Sequence, residues 1–113
     1  MVAGEALKGY NDVIILRVLL DGDSYGYEIA NRIRRMAQER YSIKQTTLYS
    51  ALNRLARLEY VMPYDGVESF GRPRMYYKVT EKGKAYYLSQ KALWFEVVDI
   101  MDCFVRGESD EDD

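Results

Sequence analysis

The sequence predicts a mainly α-helical fold that carries a small β wing. Three observations predict it. Apolar residues recur at the spacing of one helix face in four separate segments. Two short segments rich in aromatic and β-branched residues lie between the third and fourth helical segments, which is typical of two strands. A glycine-rich basic turn separates these strands. With 113 residues, the chain is long enough for one compact domain with a core.

The first predicted helix covers about residues 6–20 and ends at the turn Asp21-Gly22-Asp23. Its apolar face follows the helical spacing of Leu7, Tyr10, Ile14 and Val18 and is widened by Val13, Leu16, Leu19 and Leu20. Ser24 has the side chain of a helix N-cap and is predicted to begin the second helix. The inner side of that second helix carries Tyr25, Ile29, Ile33 and Met36.

The third predicted helix has two possible starts. Ser42 and Gln45 have capping-box spacing, whereas Ile43-Lys44 equally fit a short extended lead-in. The apolar stripe of the helix is Leu48, Ala51, Leu52, Leu55 and Leu58. The opposite face presents Thr47, Tyr49, Ser50, Asn53, Arg54 and Arg57. Without a carboxylate before Glu59, this polar face suits base edges and phosphates, but it equally fits an ordinary solvated surface.

The wing is predicted from the strands Tyr60-Val61-Met62 and Met75-Tyr76-Tyr77-Lys78-Val79. Gly66 and Gly71 bracket the loop between them, which ends in the basic tripeptide Arg72-Pro73-Arg74. A basic hairpin next to a polar helix indicates a winged helix-turn-helix domain whose wing touches phosphates or a minor groove. A plain surface hairpin is the alternative.

The last helix is predicted to begin at the N-cap Thr80. It bears two neighbouring apolar stripes, of which one can cover the core and the other needs a second subunit. We therefore expect a C-terminal dimerisation helix and a homodimer. The predicted units are a winged helix domain at 1–83, the dimerisation helix at 84–106 and a disordered acidic tail at 107–113, because the last six residues include no apolar side chain.

Charge and composition narrow the function classes. The formal net charge is −2, yet residues 25–91 hold 13 Lys or Arg against 6 Asp or Glu, which modestly favours a nucleic-acid partner. The chain has no His and one Cys, so a Cys/His metal cluster and an internal disulfide are excluded. We expect no enzyme activity, no metal and no cofactor. The apolar run at 13–20 is too short for a bilayer, and we expect a cytoplasmic protein.

Three motifs together resemble the PadR-like family of winged helix-turn-helix transcriptional regulators, in its short subgroup with one C-terminal helix. They are Ser24-Tyr25-Gly26-Tyr27-Glu28-Ile29, then Thr47-Leu48-Tyr49-Ser50-Ala51-Leu52-Asn53-Arg54-Leu55, then Gly71-Arg72-Pro73-Arg74 running through the strand to Gly83. The resemblance covers roughly residues 10–88. Ser50 stands where the family usually has Pro, Thr46 replaces a frequent Gly, and Tyr60-Val61 lies where Gly-Leu-Val is usual.

The resemblance implies a homodimer that binds a pseudo-palindromic operator in double-stranded DNA and most often represses transcription. The residues expected at the DNA are Lys44, Gln45, Thr46, Thr47, Tyr49, Ser50, Arg54, Arg72 and Arg74. Those expected at the dimer interface are Leu7, Tyr10, Leu93, Trp94, Val97, Ile100, Met101 and Phe104.

A small aromatic effector is a further expectation of the resemblance. In one multidrug-sensing branch of the family, a Trp on the last helix sandwiches flat aromatic ligands. By this similarity Trp94 would hold the ligand, with Val13, Val97 and Val98 around it. The alternative is that Trp94 anchors a dry dimer interface. Two other functions remain open: a dimeric winged-helix module that binds proteins without specific DNA binding, and a dimer that sequesters small molecules.

Overall fold

The computed structural model describes residues 2–111, with five α-helices, one 3₁₀ turn and three strands in this part of the chain. In chain order the elements are α1 (Val2–Leu7), the 3₁₀ turn (Lys8–Tyr10), α2 (Asn11–Leu20), β1 (Ser24–Tyr25), α3 (Gly26–Met36), α4 (Gln45–Arg57), β2 (Val61–Val67), β3 (Pro73–Val79) and α5 (Glu81–Glu111). The prediction of a mainly α fold with a small β wing is confirmed.

The core lies between α2, α3 and α4, with the sheet and the start of α5 packed against it. Five fully buried side chains lie on the predicted helix faces: Leu16, Ile29, Leu48, Leu52 and Leu55. Ile15 is also fully buried, although the predicted face of the first helix had Ile14 in its place, and Ile14 is only partly buried. Two residues predicted to face inwards are exposed instead, Met36 by 52% and Leu58 by 45%. Met36 ends α3 and Leu58 is the C-cap of α4, so each lies where its helix runs past the core.

The single helix predicted for residues 6–20 is interrupted. The 3₁₀ turn at Lys8–Tyr10 separates α1 from α2, and the low helix propensity of Gly9 explains a break at this place. Asn11, the first residue of α2, is buried, and its Oδ1 accepts a 2.5 Å hydrogen bond from the Tyr41 hydroxyl. This bond satisfies a buried amide oxygen and ties α2 to the segment before α4.

Ser24 does not cap a helix as predicted, because its backbone belongs to β1. Ser24 pairs with Tyr77 of β3, and its buried hydroxyl donates a 2.5 Å hydrogen bond to Glu28 Oε1. α3 therefore begins after the strand, with extended Tyr25 at its N-cap position. β1 completes an antiparallel sheet of order β1-β3-β2, and the preference for a capping serine yields to this long-range pairing.

The wing strands are longer than predicted, and Gly66 lies inside β2 rather than at the edge of the loop. The connecting loop is residues 68–72. Gly66 pairs with Arg74, and the ring of Tyr76 lies over its Cα so closely that a Cβ there would overlap the ring. Gly66 is therefore needed for the close approach of the Tyr76 ring. In the sequence alone, this glycine looks like a turn residue.

The turn from α4 into β2 contains no glycine. Glu59 adopts a left-handed φ of 64°, and the Tyr60 amide donates to the Leu55 carbonyl at 2.9 Å, which closes the end of α4. A non-glycine residue in this conformation is strained.

A side-chain hydrogen bond connects β2 to the turn after α2. The Tyr64 hydroxyl donates a 2.6 Å hydrogen bond to Asp23, and this bond raises the pKa of Tyr64 to about 12.

The predicted cap of α5 is confirmed, since the Gly83 amide donates to Thr80 Oγ1 at 3.0 Å. The helix continues to Glu111, so the backbone of 107–111 is helical where a disordered tail was predicted. Each residue added to an existing helix gains a hydrogen bond, so an acidic stretch can extend it. Asp112 and Asp113 lie outside the described residues. Across residues 2–111, no helix combines the length and apolar character that a membrane crossing requires.

Candidate nucleic-acid interface

The outer face of α4 is exposed along its first two turns. The predicted DNA-contacting residues on it all lie at the surface: Lys44, Gln45, Thr46, Thr47, Tyr49 and Ser50. Lys44 has extended backbone, so α4 begins after the extended lead-in and no side chain caps it. The helix Gln45–Arg57 contains no Asp or Glu. Free amide groups in the first turn and a carboxylate-free face make this end of α4 attractive to anions.

Tyr49 is held at the junction between α4 and α3. Its ring lies against Gly26 in the first turn of α3, where a Cβ on Gly26 would overlap the hydroxyl and the ring. Tyr49 nevertheless remains 42% exposed. The glycine of one sequence motif therefore accommodates the tyrosine of the other, a contact that neither motif reveals alone.

Arg54 is engaged by a carboxylate that sequence reasoning missed. Its guanidinium donates a 2.5 Å hydrogen bond to Asp12 of α2, and the two side chains are 46% and 26% exposed. The pair borders a groove of about 560 Å³ that Lys44, Thr47 and Ser50 also line. A negative charge therefore lies on the predicted interface, 42 residues away from Arg54 in sequence, where no local pattern could reveal it.

The two wing arginines differ in their surroundings. Arg74 pairs with Glu68 at 3.1 Å and lies over the Tyr25 ring, 5.2 Å from its centroid. Burial and the neighbouring Glu68 raise the pKa of Tyr25, so this phenol stays neutral at physiological pH. Arg72 is exposed, and of the described residues no carboxylate lies within ion-pair distance of it. Arg72 therefore presents its positive charge to the solvent.

The exposed apolar side chains of α5 form a separate surface. The predicted interface residues Leu93, Trp94, Val97, Ile100, Met101 and Phe104 all lie on it with large exposed areas. Where α5 meets α2, an apolar cavity of about 260 Å³ is lined by Val13, Trp94 and Val97, together with the predicted interface residues Leu7 and Tyr10. Val98 does not line this cavity. Tyr10 meets Trp94 edge to face, with ring centroids 5.3 Å apart.

No cluster of potential metal ligands accompanies these surfaces. Within residues 2–111, no three His, Cys, Asp or Glu side chains are arranged to hold a metal ion.

The helix pair α3–α4, followed by the β2–β3 hairpin, defines a winged helix-turn-helix protein. The model of the transcriptional regulator PadR-like family matches residues 15–89. The chain belongs to this family, as the three sequence motifs predicted.

Individual relatives agree with this assignment. An uncharacterized protein of Lysinibacillus sphaericus is 40% identical over 107 residues, which are 95% of this chain and 98% of the relative. A solved transcriptional regulator from Clostridium thermocellum is 42% identical, with a TM-score of 0.81 over 89% of this chain and 95% of its own. Bacillus subtilis PadR, solved in complex with operator DNA, is 20% identical with a TM-score of 0.64. That match covers 72% of this chain and 46% of the other, and the likeness concerns the fold.

Proposed function

We propose that this chain is a DNA-binding transcriptional regulator that acts as a homodimeric repressor on a pseudo-palindromic operator. The observation that carries the proposal is the exposed outer face of α4, a helix without Asp or Glu, together with the exposed Arg72, which has no carboxylate partner among the described residues. Donors and acceptors for base edges or phosphates are offered by Gln45, Thr47, Tyr49 and Ser50. The other predicted residues are assigned to the phosphate backbone of the DNA: Lys44, Thr46, Arg54, Arg72 and Arg74. That Bacillus subtilis PadR, which shares this fold, has been solved in complex with operator DNA supports DNA binding in general.

A homodimer follows from the surface of α5. Large apolar side chains cover one side of the helix between Leu93 and Val105, and a monomer would leave them in water. Two-fold pairing through this side would bury them and would give the assembly two copies of α4. Their half-sites would then lie about one helical turn, roughly 34 Å, apart on the DNA. A bound dimer represses by excluding other proteins from that stretch.

The test is binding to the DNA upstream of the gene for this chain, measured by fluorescence anisotropy against random DNA at two salt concentrations. We expect a preference for the upstream DNA that persists at the higher salt.

In Ser50→Glu, we expect the affinity for this DNA to fall about 100-fold, because the new carboxylate faces phosphates and base acceptors. Gln38→Glu adds the same charge in the turn beyond the far end of α3 and should change affinity little.

Equal binding to both DNAs that disappears at the higher salt would contradict sequence-specific recognition. Absence of binding even at low salt would instead favour a dimeric winged-helix module that binds proteins. One observation favours that second function: Arg54 and Arg74, both assigned to DNA, already pair with Asp12 and Glu68.

We further propose that a small aromatic effector binds in the cavity lined by Val13, Trp94 and Val97 and weakens DNA binding from there. The cavity is apolar and open on the side where a second subunit would pack. The quencher 4-nitrobenzyl alcohol should reduce the fluorescence of Trp94, the only Trp in the chain, saturably, and Val13→Phe should weaken this quenching by filling the cavity. Linear, collisional quenching that Val13→Phe leaves unchanged would instead support a dry dimer anchor.

A further inference from the structure

A second concave surface lies between the first turn of α3 and the loop 68–72. We call it the wing cleft; it has a volume of about 430 Å³ and is lined by Tyr25, Tyr27, Glu68, Phe70, Arg72 and Arg74. Three aromatic rings and two guanidinium groups therefore meet in one depression. The cleft contains none of the α4 residues assigned above to base edges.

Phe70 is the middle residue of the loop 68–72, lines this cleft and is 93% exposed. The turn that carries it is ordered by hydrogen bonds: the Glu68 amide donates to the Arg72 carbonyl at 3.0 Å, and the Gly71 amide donates to the Glu68 carbonyl at 2.9 Å. Gly71 adopts a φ of 87°, which only glycine adopts readily. The hairpin thus holds a large apolar ring out into water, the most exposed large apolar side chain of the described residues.

The charges of the wing cleft match a phosphate backbone. Glu68 forms an ion pair with Arg74, and Arg74 lies over the Tyr25 ring. The charge of Arg74 is therefore balanced within the cleft. Arg72 remains as the exposed cation, and the cleft is also lined by the exposed rings of Phe70 and of Tyr27, the latter 59% exposed. A single cation next to exposed rings suits a phosphate and the apolar face of a deoxyribose.

The wing cleft is continuous with the α4 face. Tyr27 follows Gly26, on which the Tyr49 ring lies, so the first turn of α3 connects the α4 residues to the wing. A duplex lying across α4 would therefore continue over Tyr27 to Phe70. Beyond the major groove that receives α4, the next groove along the duplex is a minor groove.

We propose that Phe70 enters this minor groove as an apolar wedge, while Arg72 binds an adjacent phosphate and Tyr27 packs against the backbone between them. This inference rests on the proposed function, which it deepens by naming Phe70 as the residue of the wing that enters the duplex and affects its shape. Apolar side chains in a minor groove partly unstack a base step and bend the duplex. Phe70 would thus favour operators whose flanks contain easily deformed pyrimidine–purine steps.

Dimethyl sulfate footprinting on the duplex from upstream of the gene tests the inference, because this reagent reports adenine N3 in the minor groove and guanine N7 in the major groove. The wild-type chain should protect both. Phe70→Ala should keep the N7 protection at saturating protein, lose the N3 protection in the flanks and bind about tenfold more weakly. Its salt dependence should stay unchanged, whereas Arg72→Ala should lower the log–log salt slope by about 0.9 per contact.

Met62→Ala removes another exposed apolar side chain of the same hairpin and should behave as wild type. Protection of N7 and N3 that is identical in wild type and Phe70→Ala would overturn the wedge and leave the proposed function intact. Absence of any wild-type footprint would overturn the proposed function, and the wedge with it.

Discussion

Met101→Glu should make the chain monomeric and weaken its binding to upstream DNA more than 100-fold. Met101 lies among the exposed apolar side chains of α5, between Val97 and Val105 on one side of the helix. A carboxylate there would be buried without a partner in the proposed dimer, which costs far more than the lost methionine contacts. A monomer reads one half-site and loses the second set of contacts. Sedimentation velocity and fluorescence anisotropy measure the two effects.

Leu88→Glu provides the matched control for this result. Leu88 is equally exposed, but it lies one turn from Lys84 and Lys91, on the polar side of α5. The same apolar-to-acidic change should therefore leave the dimer and the DNA affinity intact. A monomer in Leu88→Glu together with a dimer in Met101→Glu would place the interface on the wrong side of α5.

Gly83→Ala should lower the free energy of unfolding by about 3 kcal/mol, the upper part of the range for overpacking. The first turn of α5 crosses the Tyr60 backbone so closely that a Cβ on Gly83 would overlap the Tyr60 carbonyl oxygen, and it would lie 3.0 Å from Val79 Cγ2. That carbonyl already accepts a 3.1 Å hydrogen bond from the Thr80 amide, so it cannot move away without breaking the bond. Urea denaturation at fixed protein concentration measures the change.

Gly107→Ala makes the same substitution near the other end of α5, where, among the described residues, no atom beyond the adjoining helix backbone lies within 4 Å of the added carbon. Helix propensity alone applies there, and alanine should leave stability unchanged or raise it by up to about 1 kcal/mol. Equal destabilisation in both variants would show that glycine matters for α5 in general. Such a result would contradict the claim that the close crossing of α5 over Tyr60 is what requires glycine at position 83.

The helix faces were predictable because their period is local. Leu48, Leu52 and Leu55 repeat at the spacing of a helix, and all three are fully buried. The strands of the wing were recognisable from their aromatic and β-branched residues, although their ends were not. Gly66 looked like a turn residue, and only its position beneath the Tyr76 ring reveals that it belongs to β2.

The candidate interface was predictable in part. The exposed positions from Lys44 to Ser50 follow from the helix face opposite the buried leucines. Asp12 was not predictable, because it reaches Arg54 across 42 residues of sequence. Phe70 carried no recognisable signal, since exposure on a hairpin depends on how the turn is closed.

Periodicity, capping and short motifs are properties of neighbouring residues, so the fold class, most of the helix faces, the cap at Thr80 and the family could all be predicted from the sequence. Tertiary packing was needed to reveal the pairing of β1 with β3, the ion pair of Arg54 with Asp12, and the contact of Tyr49 with Gly26. Each of these joins residues that are distant in sequence. The free energy of such contacts depends on how whole elements pack, which no local pattern of residues contains.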